Sequence, residues 1–273
     1  MRQLIVNKNP DKKGLVLIEG KDYRYLRQVL RVKAGDMVTL RLSDGTLCDS
    51  TAEKIDDNAK KITLQVCGAL RQAQGPQNDA VPEPVEGPSM EYTLVQFIPK
   101  PQKLELIVRQ ATECGVKNIV PVISEYAQKG NIEALTGGRI ERLQRIVREA
   151  RQQSGSPTDT TVFEPVTVEQ AVDLWNKIKE EAGGDEKSAG FVLSEREVAH
   201  EDASGPFDRL RDHNGNMAVA IFCGNEGGIS PDELELLEKK ALLRPVHFSV
   251  NILRCETAAL YGIAAIQTAI SGF

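Results

Sequence analysis

The chain has 273 residues, of which 41% are hydrophobic and 27% charged, with a formal net charge of −5. Those fractions are ordinary for a soluble globular protein, and the length suits two domains better than one. The five cysteines, at 48, 67, 114, 223 and 255, form no C-x-x-C and find no zinc-type spacing with the three histidines, so neither a metal centre nor a disulfide framework is expected. No apolar run nears bilayer length and the first residues hold no signal-peptide core, which points to a cytoplasmic protein with reduced thiols and no membrane partner.

Residues 1–68 read as a small β-rich module. Tyr23–Val32 predicts a short amphipathic helix with Tyr25 or Leu26, Val29 and Leu30 on one face and Arg24, Arg27 and Arg31 on the other. Met37–Leu42 and Leu47–Ile55 flank Asp44-Gly45 as a hairpin, and Lys61–Val66 alternates as a further strand. Residues 1–42 hold ten Lys/Arg against four acids, a local +6 that leaves −11 on the remainder. A basic module on an acidic body suits an RNA-facing patch; a plainly solvated surface is the alternative. Residues 69–90 contain four prolines and almost no hydrophobic pattern, the composition of a flexible interdomain linker.

Residues 91–273 alternate in type. Strands are expected at 92–98, 119–123, 190–193, 217–222 and 246–250. Helices are expected at 103–115, 139–153, 167–182, 230–241 and 257–271. That order describes an α/β domain with a largely parallel sheet. In the helix from Arg139, Ile140, Leu143, Ile146, Val147 and Ala150 share one face, with Arg142, Arg145 and Arg148 roughly opposite.

Two strand exits near the C-terminus carry the features of a ligand site. Met217–Phe222 is an apolar run that empties into Gly224, Gly227 and Gly228, with Ser230 as a helix cap, Pro231 after it and Glu233 completing the cap. The second exit leads through Asn251-Ile-Leu-Arg254 toward a long apolar helix. Glu226, between glycines, is a poor core residue. Arg254 is either an ion-pair partner or a planar cation for a developing oxyanion. Thr257 reads as a cap of the last helix, with Glu256 favouring its dipole. Leu193-Ser194-Glu195 ends another strand and supplies a third wall. No G-x-x-x-x-G-K-[ST] is present, which removes a P-loop reading.

Gly224-Asn-Glu-Gly-Gly228 and Leu253-Arg-Cys-Glu-Thr-Ala258 together resemble the cofactor loops of SPOUT-type methyltransferases. More narrowly, they resemble the RsmE-type family that methylates uridine N3 in small-subunit (16S) ribosomal RNA. That family typically reads Gly-Pro-Glu-Gly-Gly and Leu-Arg-Thr-Glu-Thr-Ala, so Asn225 and Cys255 are departures, as is Ser249-Val250-Asn251 in place of Gly-x-Arg. Lys103, Glu105, Glu113 and Gly115-Val116 match a further family stretch, with Gln110 for its Lys. Glu149-Ala150 and Gln153-Ser154-Gly155 match another, with Ser156 for its Arg.

The resemblance implies a trefoil-knotted α/β methyltransferase domain over 91–273, a PUA-like RNA-binding barrel over 1–68, and a homodimer. The implied cofactor is S-adenosyl-L-methionine, held by Leu193, Ser194, Phe222, Gly224, Asn225, Gly227, Gly228, Ile229, Ile252, Leu253, Cys255 and Ala258. Arg254 would stabilise the uracil anion, and Glu226 would orient the base or accept its proton. RNA contacts fall to Arg24, Arg27, Arg31, Lys100, Lys103 and Gln153, the last either orienting the base or packing at a subunit interface. The implied partner is 16S ribosomal RNA or the small subunit. Ribose 2′-O-methylation and a non-catalytic ribosome assembly factor are the competing readings.

Overall fold

A computed structural model describes residues 3–67, 90–135, 138–195, 207, 210 and 215–271. All but the last residue of the expected linker lies outside them. The chain divides into two compact units, one of residues 1–85 with 151–157 and the other of 86–150 with 158–273.

In the first unit, β1 (Leu4–Ile5), β2 (Leu15–Ile18), β3 (Met37–Arg41), β4 (Leu47–Asp56) and β5 (Lys61–Val66) form one sheet ordered β1-β3-β4-β5-β2. The predicted hairpin is β3–β4, turning at Gly45 with φ 84°. Inward residues such as Leu40, Cys48, Ala52, Ile62 and Leu64 alternate along these strands and close on Leu26 as a single core. The expected helix is instead α1 (Gly20–Arg24) running into a π-helical turn at Tyr25–Val29. Leu26 is buried there, while Val29 is exposed.

That turn is fastened by an ion pair rather than left as a free basic face. Arg27 donates through Nε to Asp57 Oδ1 at 2.8 Å and through a terminal nitrogen to Oδ2 at 2.7 Å, and Tyr23 Oη donates to Oδ1 at 2.5 Å. The bidentate geometry fixes both side chains. Arg24 and Arg31 are exposed.

The second unit is built on a parallel sheet. Its strands are β6 (Met90–Phe97), β7 (Asn118–Ile123), β8 (Thr161–Val162), β9 (Val166–Thr167), β10 (Ser188–Leu193), β11 (Met217–Cys223) and β12 (Arg244–Val246). The order is β12-β10-β11-β6-β7-β8, with β9 also on β7, and every pairing is parallel. All seven residues of β11 are buried. Met217, Val219, Ile221 and Cys223 enter one core, and Ala218, Ala220 and Phe222 the other. A strand covered on both faces needs no polar alternation, which is why this run is uniformly apolar.

Helices α2 (Pro101–Glu113), α4 (Arg139–Ser154) and α7 (Cys255–Ser271) contribute to the first core, and α5 (Val168–Ala182) and α6 (Pro231–Lys240) to the second; α3 (Lys129–Glu133) is a short connection. Each fully buried large side chain, such as Trp175 or Phe222, contributes about 1.5–3 kcal/mol or more of apolar burial. Reciprocal capping boxes start α5 (Thr167 with Gln170) and α6 (Ser230 with Glu233). Gly115, just past α2, has φ 78°, the left-handed position expected of it.

Two expectations need correction. The strand placed at 246–250 ends at Val246, because β10, its neighbour, stops pairing at Leu193; beyond it Val250 is 47% exposed. The last helix begins at Cys255, so Thr257 lies within it, and its N–H donates to the Arg254 carbonyl at 2.9 Å.

The Asp57 carboxyl is held down to about 2, first by the Arg27 hydrogen bond and then by that of Tyr23. A lowered carboxyl stabilises the fold above its ordinary range near pH ~4 and loses that contribution as pH falls through the folded value. Asp57→Asn should therefore lower the urea midpoint at neutral pH, and the gap to wild type should close as acid approaches about pH 2. Denaturant titrations across that range check it; a gap independent of pH would remove the ion pair from the account.

Candidate functional site

Strands β12, β10 and β11 are adjacent and parallel, so their C-terminal ends open on the same edge of the sheet. Parallel α/β sheets present ligand crevices at that edge. A cavity of about 340 Å³ lies there. Its walls are Leu193–Glu195 after β10, the Cys223–Ile229 loop after β11, and His247–Ala258 after β12. Pro231 and Leu234 close it from α6, and Lys103 enters from α2.

The middle wall is the most constrained. A Cβ at Gly224 would stand 2.8 Å from the Gly228 carbonyl carbon, and Gly228 has φ 79°. Only glycine allows the loop to close on itself this tightly. Asn225, 7% exposed, secures the closure. Its side-chain oxygen accepts from Gly227 N–H at 2.8 Å, and its amide nitrogen donates to Ser124 Oγ at 3.2 Å and the Ile98 carbonyl at 3.5 Å. The departure from the family proline is thus a side chain that stitches the loop to β6 and β7. Gln96 supports the same loop, donating to the carbonyls of Cys223 at 3.3 Å and Gly224 at 3.0 Å.

Of the residues expected to hold a cofactor, Leu193, Ser194, Gly224, Asn225, Gly228, Ile229, Ile252, Leu253, Cys255 and Ala258 line the cavity. Phe222 is instead buried in the sheet core. Gly227 faces Tyr126, whose Cβ lies 2.9 Å from where a glycine Cβ would be built. His247 and Phe248 line the cavity without having been expected, because the strand expected over 246–250 ends at Val246 and the chain there is loop.

Glu226 and Arg254, the expected catalytic pair, both line the cavity. Glu226 Oε1 accepts from the Lys100 backbone N–H at 3.2 Å, at the start of α2. Lys103, expected among the RNA contacts, points into the cleft: its ammonium stands 3.0 Å from Glu256 Oε2 and 3.5 Å from Glu226 Oε1. The Glu256 hydrogen bond, as the largest influence, raises the Lys103 pKa above its ordinary value. At Glu256 burial works upward, but its own backbone N–H, Lys103 and the Cys255 thiol outweigh it and leave the carboxyl below its usual range. Gln153 is exposed on the last turn of α4 and Lys100 is exposed before α2.

Burial, followed by the hydrogen bond to Glu256, pushes the Cys255 thiol up to about 12. Burial likewise raises Cys223. Neither forms the thiolate that alkylation requires at neutral pH. Iodoacetamide at about pH 8 should therefore modify exposed Cys67 and spare Cys223 and Cys255 in the folded protein. Peptide mass mapping checks this; rapid labelling of Cys255 would show that the first turn of α7 opens readily.

A parallel α/β sheet with glycine-built loops around a crevice at its carboxyl edge is the architecture of a nucleotide- or cofactor-using enzyme. The chain belongs to the RNA methyltransferase domain family, whose profile matches residues 85–267. It is 29% identical to the ribosomal RNA small subunit methyltransferase E of Rickettsia conorii, over 89% of this chain and 85% of that protein. With the ribosomal RNA small subunit methyltransferase E 2 of Borreliella burgdorferi it shares 23% identity over 100% of this chain and 99% of the relative. The crystal structure of a ribosomal RNA small subunit methyltransferase E from Neisseria gonorrhoeae, bound to S-adenosyl methionine, has the same fold. Its TM-score is 0.74 at 22% identity, covering 99% of this chain and 98% of that one.

Proposed function

We propose that this RNA methyltransferase transfers a methyl group from S-adenosylmethionine to N3 of a uridine in small-subunit ribosomal RNA. The observation that carries the reading is the convergence of Glu226 and Arg254 on a crevice walled by three strand exits. The crevice suits such a cofactor. It combines glycine backbone, which lets a ligand approach closely, with an apolar wall of Leu193, Ile229, Leu253 and Ala258, and its volume falls in the range of small-molecule sites. When bound, S-adenosylmethionine supplies an electrophilic methyl on a sulfonium.

Uracil N3 lies between two carbonyls and becomes nucleophilic only when its proton leaves. Glu226 accepts that proton, and Arg254 faces the negative charge that spreads onto the carbonyl oxygens. The N3 lone pair then forms the new bond to carbon as the carbon–sulfur bond breaks, leaving a neutral thioether. Alignment of the two reactants in the crevice accounts for much of the acceleration. Because N3 is on the pairing edge, the target base must be unpaired or extruded.

The rest of the reading follows the family resemblance. The knot belongs to the loops around the crevice, and the N-terminal module supplies RNA affinity through its basic surface, with exposed Arg24 and Arg31 available to phosphate while Arg27 serves Asp57. A homodimer is proposed through α7, where Tyr261 is 42% exposed beside half-buried Leu260; a monomer mass by light scattering with full activity would count against it. No helix among the described residues is long and apolar enough to cross a membrane, and no group of three or more His, Cys, Asp or Glu that could hold a metal ion occurs among them.

Nucleoside mass spectrometry of small-subunit RNA from cells lacking the protein should show loss of one N3-methyluridine, restored by the wild-type chain. Arg254→Ala should restore it poorly, with transfer slowed about 100-fold or more for a lost oxyanion partner. Loss of a ribose-methylated nucleoside instead would favour 2′-O chemistry, and an unchanged profile with no cofactor binding would favour an assembly factor.

A further inference from the structure

Among the charged groups that the mechanism above leaves unused, Lys103 is the cation held between two carboxylates. Lys103 rises from the first turn of α2, its side chain only 25% exposed, and stands between two carboxylates from different elements: Glu226 at 3.5 Å from the β11 loop and Glu256 at 3.0 Å from the first turn of α7. The Cys255 sulfur is 3.9 Å away, and the same thiol faces Glu256 at 3.3 Å. A cation shared in this way is not arranged to meet RNA phosphate, because both carboxylates would have to be abandoned first.

We propose that Lys103 is a positioning residue that holds the Glu226 carboxylate aimed into the crevice, with Glu256 anchoring the same ammonium. The inference rests on the reading of Glu226 as the proton acceptor. Among the described residues two contacts fix that carboxylate, both on Oε1: the Lys100 N–H at 3.2 Å and the Lys103 ammonium at 3.5 Å. The proposal gives the other oxygen to the substrate. Glu256 is the better buried acid, with its side chain 16% exposed against 32% for Glu226, and it makes the shorter contact. It therefore keeps the cation in place while Glu226 takes up and releases a proton.

The charged and titratable groups around this pair are Lys103 from α2, Cys255 and Glu256 from α7, Arg254 before it, and Glu195 and His247 from the loops after β10 and β12. Without Lys103 two carboxylates would lose the cation they share, and Arg254 is the other Lys or Arg among the residues lining the cavity. A proton would then bind the pair at higher pH, because like charges disfavour joint ionisation.

The test uses the full chain, small-subunit RNA and saturating S-adenosylmethionine, with transfer rates followed from about pH 5 to 9. Lys103→Met should slow transfer about 10- to 100-fold near neutrality and move the acid limb of the profile up by about one pH unit. Cofactor affinity by calorimetry should stay within about threefold, and Lys103→Arg should return most of the rate and the original limb. If Lys103→Met folds poorly by circular dichroism, Lys103→Gln takes its place with the same expectations. An acid limb fixed at the wild-type pH, or cofactor affinity lost in proportion to rate, would overturn the positioning role. Should the wild type make no N3-methyluridine, the reading beneath the inference fails instead; a wild type that makes it, beside a variant with an unmoved limb, condemns the inference alone.

Discussion

The five-residue turn Gly224–Gly228 is the constraint on which the site depends. It closes so tightly that a Cβ on its first glycine would collide with the backbone of its last. Such a turn has few ways to bond its own polar groups, and Asn225 resolves this by bonding inward to Gly227 and outward to Ser124 and Ile98. Because the outward bonds run to the ends of β6 and β7, the turn is held by the sheet core rather than by its own propensity. Every neighbouring feature is placed by it: Glu226 at its tip, Ser230 as the cap of α6, and the cleft wall facing the loop after β12.

Charge is arranged to suit that geometry. The acidic side chains at the crevice are not free to repel one another, since Lys103 bridges two of them and the start of α2 receives a third contact from Glu226. Burial keeps the thiols of Cys223 and Cys255 protonated, so they add no further negative charge. Arg254 and Glu226 both line the cavity, a cation and a carboxylate of the kind a deprotonating alkylation of uracil requires.

Much of this was legible in the amino-acid order because local and global preferences agree there. β11 reads as a doubly buried strand and is one. Ser230-Pro231 with Glu233 reads as a capping box, and both halves of it form. The misreadings share a physical cause, which is that a strand exists only where a neighbour pairs with it. Val246–Val250 alternates well, yet the chain leaves the sheet once β10 has ended. Side-chain direction was the other blind spot. Arg27 looks like a surface cation by helical spacing and Lys103 was expected among the RNA contacts, but distant acids in the sequence, Asp57 and Glu256, capture them. Gly227 was expected beside the cofactor, whereas the side chain of Tyr126 is the neighbour that a Cβ there would meet. The family resemblance located the crevice, whereas the contacts inside it came only with the fold.

The central claim is that the stitched β11 turn shapes a cofactor crevice. Calorimetric titration of S-adenosylmethionine into the wild type and Asn225→Ala tests it most directly. Losing the stitch takes a partner from the buried Ile98 carbonyl and Ser124 hydroxyl, a cost of about 1–3 kcal/mol that should appear as roughly tenfold or greater weakening of binding. The account predicts saturable binding by the wild type and that weakening in a variant whose circular dichroism is unchanged. Equal affinities in the two proteins would contradict it.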